Sequence, residues 1–320
     1  KSICQGRQVA TLWPEIFETN NEIVFAHRPF KWSNLASYNA GVTVVIIGIS
    51  TSPAGDRHLY DESKEGADTV KLAKNINPYL VAGPNVIVDP SAKPMNELQE
   101  MSFGNMPNDG GGLLLDFDQA KAAINEHCVQ PDFIRPFYGS QEFIRGEERR
   151  CLWFPDDQLR EVSKNRWLAR RLDAVRKHRA ESKRKTTNQL ASMPHRFGEV
   201  RQRGDEKVLA IAAISSERRE YLPCGLLAQG AIVSNKIYVL CDPPMWAFSI
   251  VASRMHWIWV STVCARLRTD FSYSNTLGWN TFPLPKLTQK NREDLTCCAE
   301  DILLAREAHF PATIADLYDP

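Results

Sequence analysis

The sequence predicts an α/β protein in two unequal parts, and three observations near its start carry that prediction. Gly41–Ser50 is a continuous apolar run rich in β-branched residues, which is typical of a strand buried on both faces of a parallel sheet. Gln8–Phe17 has the spacing of a short helix, and Ile23–Ala26 predicts another strand. We therefore expect the last part of a larger α/β sheet here, with its beginning missing. The 320 residues, 43% hydrophobic, suffice for about two domains of roughly 150 residues each.

The middle of the chain changes from turns to mixed elements. Turn residues dominate from Ser52 to about Pro94, which favours an inter-domain passage. Helical spacing follows over Asp116–Cys128, and the letters CLWF at 151–154 predict a strand. Ser163–Arg179 predicts a strongly basic helix, which Thr186–Ala191 continues in broken form.

The last third predicts strands followed by helices. Val208–Ile214 predicts a buried strand, while Ala231–Ser234 and Lys236–Leu240 predict a strand pair joined by a tight turn. Met245–Arg268 predicts one long helix with aromatic and aliphatic residues on one side. Leu287–His309 predicts a final amphipathic helix, which a following proline ends.

Composition and motifs exclude several classes of protein. The longest apolar stretch, Trp246–Leu267, contains Arg254, His256 and Arg266, which argues against a membrane-spanning helix. We interpret His256 as a histidine of the helix core and not as a ligand. The eight cysteines show no CxxC and no zinc spacing, which predicts reduced, mostly buried thiols and no metal site. GxGxxG, GxxxxGK[ST], HExxH and GxSxG are absent from the sequence. The three glycines at 110–112 lack a preceding strand and a phosphate-binding lysine, so we expect a flexible turn there.

One segment concentrates positive charge. Lys164–Arg203 contains thirteen Lys or Arg against three acidic residues, whereas the whole protein has a formal net charge of only +1. Such a strip, interspersed with Ser, Thr, Asn and Gln, offers the charge and the short polar donors that a phosphate backbone requires. The other interpretation is a solvated helix face.

Seven segments carry a family resemblance. In chain order they are SICQGRQVATLWPEIF, IVFAHRPFKWSNLASYNAGVTVVIIG, FIRPFYGSQEFIRGEERRCLWFP, SKRKTTNQLASMPHRFGEVRQ, ISSERREYLPCG, SRMHWIWVSTVCARLRTDFSYSNTLGWNTFPLP and LYDP. They follow one another in the family's order. They resemble gamma-class amino-methylating DNA methyltransferases, specifically the MmeI-like family of fused type IIL restriction–modification enzymes.

This resemblance implies the C-terminal portion of a class I S-adenosylmethionine-dependent methyltransferase sheet, a mixed α/β target recognition domain and a helical tail. The implied bounds are 1–75 for the truncated methyltransferase end, 76–285 for target recognition and 286–320 for the start of the tail. An upstream nuclease domain and a cytoplasmic, nucleoid-associated place in a bacterium or archaeon are implied as well. The cofactor motif and the Asn-Pro-Pro-aromatic catalytic tetrapeptide are expected upstream of Lys1. S-adenosylmethionine would therefore serve the full-length parent, and we expect this chain alone to bind none and to be inactive.

The resemblance also implies site residues. An adenine methyltransferase must flip its target base out of the duplex and hold it between flat side chains. Phe30 occupies one of the family's stacking positions and Trp32 is the second candidate, although Phe30 could also simply pack under the sheet edge. Contacts to double-stranded DNA are expected from a DNA-facing loop, a phosphate-gripping stretch, two base readers and a polar loop after the long helix. In that order these are Arg135, Tyr138, Ser140 and Glu142; Lys183, Arg184, Lys185 and Thr187, with Arg201; Glu217 and Arg219; and Arg268, Ser272 and Tyr273.

Two alternatives stay open from the sequence. Glu217 can accept from cytosine and Arg219 can bridge guanine, but the two could equally form a local surface ion pair. The chain as a whole could be a stand-alone nucleic-acid-binding module without catalysis. A Gly-rich cofactor loop and an Asn-Pro-Pro-aromatic motif upstream of Lys1 in the gene would favour the methyltransferase.

Overall fold

The structure is a computed structural model that describes residues 2–32, 42–62 and 68–320. Its helices are α1 (Arg7–Glu18), α2 (Phe117–Asn125), α3 (Ser140–Arg145), α4 (Leu159–Val162), α5 (Arg166–Ala180), α6 (Lys185–Gln189), α7 (Met245–Ala252), α8 (Arg254–Val263), α9 (Gln289–Glu307) and α10 (Ile314–Tyr318). Its strands are β1 (Glu22–Trp32), β2 (Val42–Ser50), β3 (Arg57–Glu62), β4 (Asp68–Ala73), β5 (Ser102–Phe103), β6 (Leu114–Leu115), β7 (Ile134–Tyr138), β8 (Arg150–Leu152), β9 (Val208–Ala212), β10 (Ile214–Ser215), β11 (Cys224–Leu227), β12 (Ile232–Val233), β13 (Ile237–Cys241), β14 (Ala265–Leu267) and β15 (Asp270–Ser272). The chain is thus a mixed α/β protein, as predicted.

The chain divides into two compact units, each held together by contacts among its own residues. Unit 1 contains Lys1–Leu98, Ile214–Glu217 and Arg254–Lys286, and unit 2 contains Gln99–Ala213, Arg218–Ser253 and Leu287–Pro320. The chain therefore passes between the units several times, which no linear division predicts. The domain bounds expected from the sequence stay a prediction.

A four-stranded sheet in the order β2-β1-β3-β4 forms the first part of unit 1. Strand β1 pairs antiparallel with β2 and parallel with β3, and β3 pairs antiparallel with β4. Helix α1 packs on one face, where Val9 and Trp13 join Ile23, Ala26 and Leu59 in a buried core. The Trp13 indole N–H donates to the carbonyl of Ile3 at 2.7 Å, so this large side chain is buried without an unsatisfied donor.

Strand β2 departs from the sequence expectation. The predicted strand is present, but it pairs antiparallel with β1 alone among the described residues, and none of its residues is fully buried. Val42, Ile46 and Ile49 are 52%, 41% and 48% exposed, so the prediction of a strand buried on both faces was wrong. A continuous apolar strand is buried on both faces only if other elements pack on each face of its sheet. The composition of the strand does not specify those contacts. The hairpin β3–β4 was also missed, in the segment predicted as an inter-domain passage.

The predicted long helix is divided. Helix α7 ends at Ala252, and the next residue, Ser253, has an extended ψ of 147°. The Ser253 hydroxyl donates to the Ile250 carbonyl at 2.7 Å. Helix α8 then belongs to unit 1, beside the small sheet β10-β15-β14. His256 of α8 is fully buried, and its Nε2 lies 3.1 Å from the Tyr273 hydroxyl. Burial lowers the pKa of His256 to about 3, and the prediction of a core histidine is confirmed.

Unit 2 contains two four-stranded sheets, β11-β9-β13-β5 and β12-β7-β8-β6. Every residue of β9 is buried, which confirms that predicted strand. The predicted strand pair around residue 235 was wrong, because β12 pairs in parallel with β7 whereas β13 pairs with β9 and β5. The backbone N–H of Ser234 donates to Tyr138 and that of Asn235 donates to Asn105, so this short segment connects two sheets and does not close a hairpin.

The burial of the cysteines agrees with the sequence expectation only in part. All eight thiols are free; Cys4, Cys151, Cys224 and Cys264 are buried, while Cys128, Cys297 and Cys298 are exposed. Burial raises the pKa of the four buried thiols. Within the described ranges, no helix is long and apolar enough to cross a membrane. The same ranges hold no group of three or more His, Cys, Asp or Glu arranged to bind a metal ion.

Candidate nucleic-acid interface

Helix α5 separates an apolar face from a cationic one. Asn165 caps the helix by accepting from the backbone N–H groups of Trp167 and Leu168, which sets where the basic segment becomes helical. With 3.6 residues per turn, positions 168, 172, 175 and 179 fall on one side, and all four are buried. Positions 166, 170 and 177 fall on the opposite side, and all three carry exposed cations. The helix is therefore anchored by one face while the other presents charge to solvent.

Two arginines of the basic strip are structural. Arg179 is fully buried, and its guanidinium donates to five backbone carbonyls, those of Pro107, Asn108, Leu190, Met193 and Arg196. Burial lowers its pKa, and nearby Asp109 acts in the opposite direction.

Arg171 behaves similarly on the neighbouring turn. It donates to the carbonyls of Gly111, Gly112 and Leu114 and lies over the Trp167 ring, 5.0 Å from its centroid. Burial lowers its pKa as well. The glycine turn at 110–112, predicted to be flexible, is thus fastened to α5. It also borders a cavity of about 470 Å³ that Trp167, Arg170 and Arg171 line.

Other exposed arginines of the strip are paired with carboxylates. Arg176 pairs with Asp173, Arg196 with Asp156 at 3.2 Å, and Arg201 with Glu199 at 3.3 Å. Arg203 contacts Asp205 and Asp242, which raise its pKa. Because exposed ion pairs contribute little stability, these arginines can exchange partners at small cost.

Seven exposed cations of the strip remain, and none has a carboxylate within ion-pair distance in the described part of the chain. We call this set the cationic ridge: Lys164, Arg166, Arg170, Lys177, Lys183, Arg184 and Lys185. Sequence reasoning named the last three but missed the first four as individual residues. For Arg166, Arg170 and Lys177, the spacing opposite the apolar positions of α5 is the signal that identifies them, whereas Lys164 lies just before the helix.

The remaining phosphate-contact candidates, Thr187 and Arg201, differ in their exposure to solvent. Thr187 is only 7% exposed, so its hydroxyl is not presented to solvent as a phosphate ligand would be; that candidate is corrected. Its position on the inner side of the single turn α6 explains the burial. Arg201 is exposed. Its backbone N–H donates to the side-chain amide oxygen of buried Asn105 at 2.6 Å, which fixes the backbone at this position.

The predicted DNA-facing loop is formed mainly by local contacts. Glu142 is 8% exposed; it accepts from the Gly139 N–H at 2.9 Å and from Arg149 at 3.2 Å, which makes it a helix cap, contrary to the DNA contact expected. The Ser140 hydroxyl donates to the Lys236 carbonyl at 3.1 Å. Arg135 and Tyr138 are half-buried on β7. Ser140 is half-buried as well, so Arg135, Tyr138 and Ser140 all keep side-chain surface available to a ligand.

The predicted base readers have different partners. Arg219 is 9% exposed and its Nε lies 2.6 Å from Asp319, near the end of the chain. Glu217 lies 3.8 Å from Arg266, and burial lowers the pKa of that arginine while Glu217 raises it. The alternative of a local Glu217–Arg219 ion pair is therefore wrong. Glu217 is 40% exposed at its side chain and available to a ligand, whereas Arg219 is largely enclosed.

The Arg219–Asp319 contact predicts coupled stability effects. Asp319→Ala should destabilise the fold by about 1–3 kcal/mol, because it leaves a nearly buried guanidinium without its charged partner. Arg219→Ala and the double variant complete a double-mutant cycle, measured by urea unfolding. Asp301→Ala is the control, since that carboxylate is exposed on α9. Strictly additive losses would show that the two side chains do not interact.

The last two groups of candidates lie in unit 1. Arg268 is exposed in the turn between β14 and β15, with φ of 58°, and Ser272 is half-buried at the end of β15. Tyr273 is 4% exposed and contacts His256, so it belongs to the core and not to a DNA surface. Phe30 and Trp32 end strand β1 with ring centroids 6.3 Å apart; Trp32 is 50% exposed and Phe30 half-buried.

Together, the fold and the ridge define an α/β protein with a cationic surface on and next to helix α5 that has no carboxylate partner in the described part of the chain. The chain belongs to the MmeI family. The model of the MmeI target recognition domain matches residues 82–286, and the model of the MmeI DNA-methyltransferase domain matches residues 1–61. The family resemblance drawn from the sequence is confirmed.

Two relatives define the extent of the similarity. The chain is 39% identical over 321 residues to DNA methyltransferase A of Bacillus subtilis (strain 168), covering 100% of this chain and 36% of the relative. It is similar to the type IIL restriction-modification enzyme MmeI, solved in complex with DNA, with a TM-score of 0.89 at 35% identity. That superposition covers 100% of this chain and 43% of the MmeI chain. The chain thus spans well under half the length of both.

Proposed function

We propose that this chain is the DNA-reading part of a sequence-specific DNA adenine N6-methyltransferase of a restriction–modification system. The cationic ridge carries the proposal. Arg166, Arg170 and Lys177 lie on a helix whose opposite face is buried, which holds these three in register. All seven cations lack a carboxylate partner among the described residues. Membership of the MmeI family and the DNA-bound relative support duplex DNA as the partner. Adenine specificity and an upstream nuclease domain belong to the same proposal.

Grip and readout are assigned to different residues. The ridge and Arg201 contact phosphates, which positions the duplex without reading its sequence. Arg135, Tyr138 and Glu217 are the proposed readers, with Arg268 and Ser272 as backbone contacts from unit 1. Phe30 stacks against the flipped adenine, with Trp32 as the second ring. We withdraw Arg219, Glu142, Thr187 and Tyr273 as direct contacts, since each is enclosed or already bonded.

Base readout by Glu217 tests the proposal. The target site of the full-length enzyme is first identified by mapping N6-methyladenine after reaction with DNA. Glu217→Gln should then cost about 1–3 kcal/mol on the cognate duplex and leave affinity for a scrambled duplex nearly unchanged. Glu220→Gln, an exposed acid three residues away, is the matched control. Equal losses on both duplexes would remove Glu217 from the readers, and equal wild-type affinity for all duplexes without methylation would favour the stand-alone binding module.

S-adenosylmethionine is the cofactor of the full-length enzyme in this proposal, but the cavity in unit 1, the part that matches the methyltransferase domain, does not fit it. A cavity in unit 1, bordered by Arg28, Tyr79 and Arg266, has a volume of only about 220 Å³ and no carboxylate in its lining. Ligand pockets usually measure about 300–1,000 Å³, and a carboxylate commonly binds ribose hydroxyls. The sequence also contains no Asn-Pro-Pro-aromatic tetrapeptide.

We therefore expect residues 1–320 to show no heat of binding with S-adenosylmethionine and no methyl transfer. Isothermal titration of the purified chain measures the first, and radiolabel transfer to DNA measures the second. The full-length enzyme, which should bind the cofactor, is the control. Micromolar affinity of the isolated chain would contradict the expectation.

A further inference from the structure

Two buried side-chain amides, those of Asn105 and Gln202, are hydrogen-bonded to each other inside unit 2. Asn105 is fully buried and Gln202 is 3% exposed. The Asn105 Nδ2 donates to the Gln202 Oε1 at 2.7 Å. We call these two residues the amide pair. Because a buried amide costs free energy unless its donors and acceptors are bonded, the partners of the pair show which segments it holds.

The partners of the amide pair come from the backbone of two separate segments. The Asn105 side-chain oxygen accepts from the N–H groups of Arg201 and Gln202 at 2.6 and 3.3 Å. On the other side, the Asn105 Nδ2 donates to the Val233 carbonyl at 3.0 Å, and the Gln202 Oε1 accepts from the Val233 N–H at 2.8 Å. The Gln202 Nε2 donates to the Ala231 carbonyl at 3.1 Å. The pair therefore fastens the backbone at Arg201 to strand β12.

Strand β12 in turn lies beside the strand that carries two proposed base readers. It pairs in parallel with β7, and the Ser234 N–H donates to the Tyr138 carbonyl at 2.8 Å. The Arg135 guanidinium of β7 lies next to the turn before β12, where a Cβ at Gly230 would stand 3.1 Å from its Nη1. The amide pair thus connects Arg201, a proposed phosphate contact, to the strand of Arg135 and Tyr138.

The direction of the chain at Arg201 depends on this pair. Met106 and Glu199 exchange two backbone hydrogen bonds of 3.0 Å each, which hold the segment up to two residues before Arg201. The next two N–H groups with a recorded partner, at 201 and 202, both donate to the Asn105 oxygen. An apolar side chain of similar size at position 105 would leave them without that acceptor.

We propose that Asn105 and Gln202 are positioning residues that keep Arg201 in register with β7, so that one duplex meets the phosphate contact and the base readers together. This inference rests on the proposed function, in which Arg201 contacts a phosphate while Arg135 and Tyr138 read bases. Every duplex offers a regular series of phosphates, so an arginine out of register still finds one. Only the cognate duplex requires both kinds of contact at once. The amide pair therefore contributes to sequence discrimination more than to general affinity.

Affinities of the full-length enzyme for cognate and scrambled duplexes, measured by fluorescence anisotropy, test the proposal. Asn105→Asp keeps an acceptor for the Arg201 N–H but removes the donor to Gln202, which separates the pair. It should weaken cognate binding by about five- to tenfold and scrambled binding by less than about twofold. Arg201→Ala should instead weaken both by about five- to tenfold, since it removes a phosphate contact that every duplex offers.

A double variant separates positioning from a general loss of stability. Because Asn105 acts through Arg201, Asn105→Asp should change cognate affinity by less than about twofold once position 201 is alanine. Gln202→Met keeps the volume but removes the amide; it should give the same pattern, and it decides the test if Asn105→Asp does not fold. Ile211→Val, buried on β9 of the same unit, is the control. It should lower the urea midpoint and leave both affinities unchanged.

Equal losses on the two duplexes for Asn105→Asp would overturn the proposal, and so would an unchanged cognate affinity. The same loss with and without the Arg201 side chain would also overturn it, because the pair would then act on the fold as a whole. In these cases a loss of affinity in Arg201→Ala leaves the proposed function intact. If Arg201→Ala has no effect, Arg201 is not a phosphate contact, and the inference fails together with that part of the proposed function. Wild-type enzyme that binds all duplexes equally would contradict the proposed function itself.

Discussion

Replacing Lys183, Arg184 and Lys185 together with alanine should weaken binding to every duplex alike, by on the order of 10²–10³-fold near 0.1 M salt. These three cations are exposed and lack carboxylate partners in the described part of the chain, so a phosphate meets them without first displacing an ion pair. Each lost contact should also reduce the slope of log affinity against log salt by roughly 0.9. Fluorescence anisotropy of the full-length enzyme with cognate and scrambled duplexes, at several salt concentrations, measures both quantities.

A triple variant with the same change in net charge is the control. Arg176, Arg196 and Arg203 are exposed arginines of the same strip, but each is paired with a carboxylate. Their replacement by alanine should change the salt slope less, because each of these arginines must leave its carboxylate before it can bind a phosphate. If both triple variants lose equal affinity, net charge and not the unpaired ridge controls binding. If neither changes the slope, the ridge is only a solvated helix face.

Helix α5 shows how far periodicity alone can lead. The sequence predicts the helix and its basic character, and the 3.6-residue spacing also places position 179 on the same side as Leu168, Leu172 and Val175. An arginine among three apolar residues therefore signals a buried cation. Its five carbonyl partners come from segments near residues 107 and 190–196, and that convergence depends on the tertiary fold.

Arg219 and strand β2 show what the sequence alone does not determine. Glu217 and Glu220 lie within two residues of Arg219 in the sequence, but Asp319, with which Arg219 forms an ion pair, lies one hundred residues further along the chain. Strand β2 has the composition of a central strand, although its burial depends on which strands and helices adjoin it. In both cases the expectation from the local pattern failed, because long-range contacts determined the outcome.

Arg179→Ala should destabilise the fold by about 3–5 kcal/mol, the largest stability effect we expect for a single substitution in the basic strip. The substitution removes the guanidinium donor from five carbonyl oxygens, of which those of Pro107, Leu190 and Met193 keep a backbone N–H donor. It also opens a cavity beneath α5, next to the turn at residues 107–112 and the segment 190–196. Denaturant unfolding of residues 1–320 measures the loss. Arg170→Ala is the control, because that side chain is exposed on the opposite face, and its effect should stay within about 0.5 kcal/mol.

Further variants at position 179 separate the contribution of hydrogen bonds from that of packing. Arg179→Met keeps much of the volume but removes every donor, so it should lose nearly as much stability as alanine if the carbonyls dominate. Arg179→Lys retains charge and up to three donors, which cannot satisfy five carbonyls spread over two segments, so it should fall between wild type and methionine. A methionine variant as stable as wild type would show that packing alone holds α5 in place. The lysine variant should also keep its DNA salt slope, because Arg179 is buried and outside the cationic ridge, so its role is to hold the helix that presents the ridge.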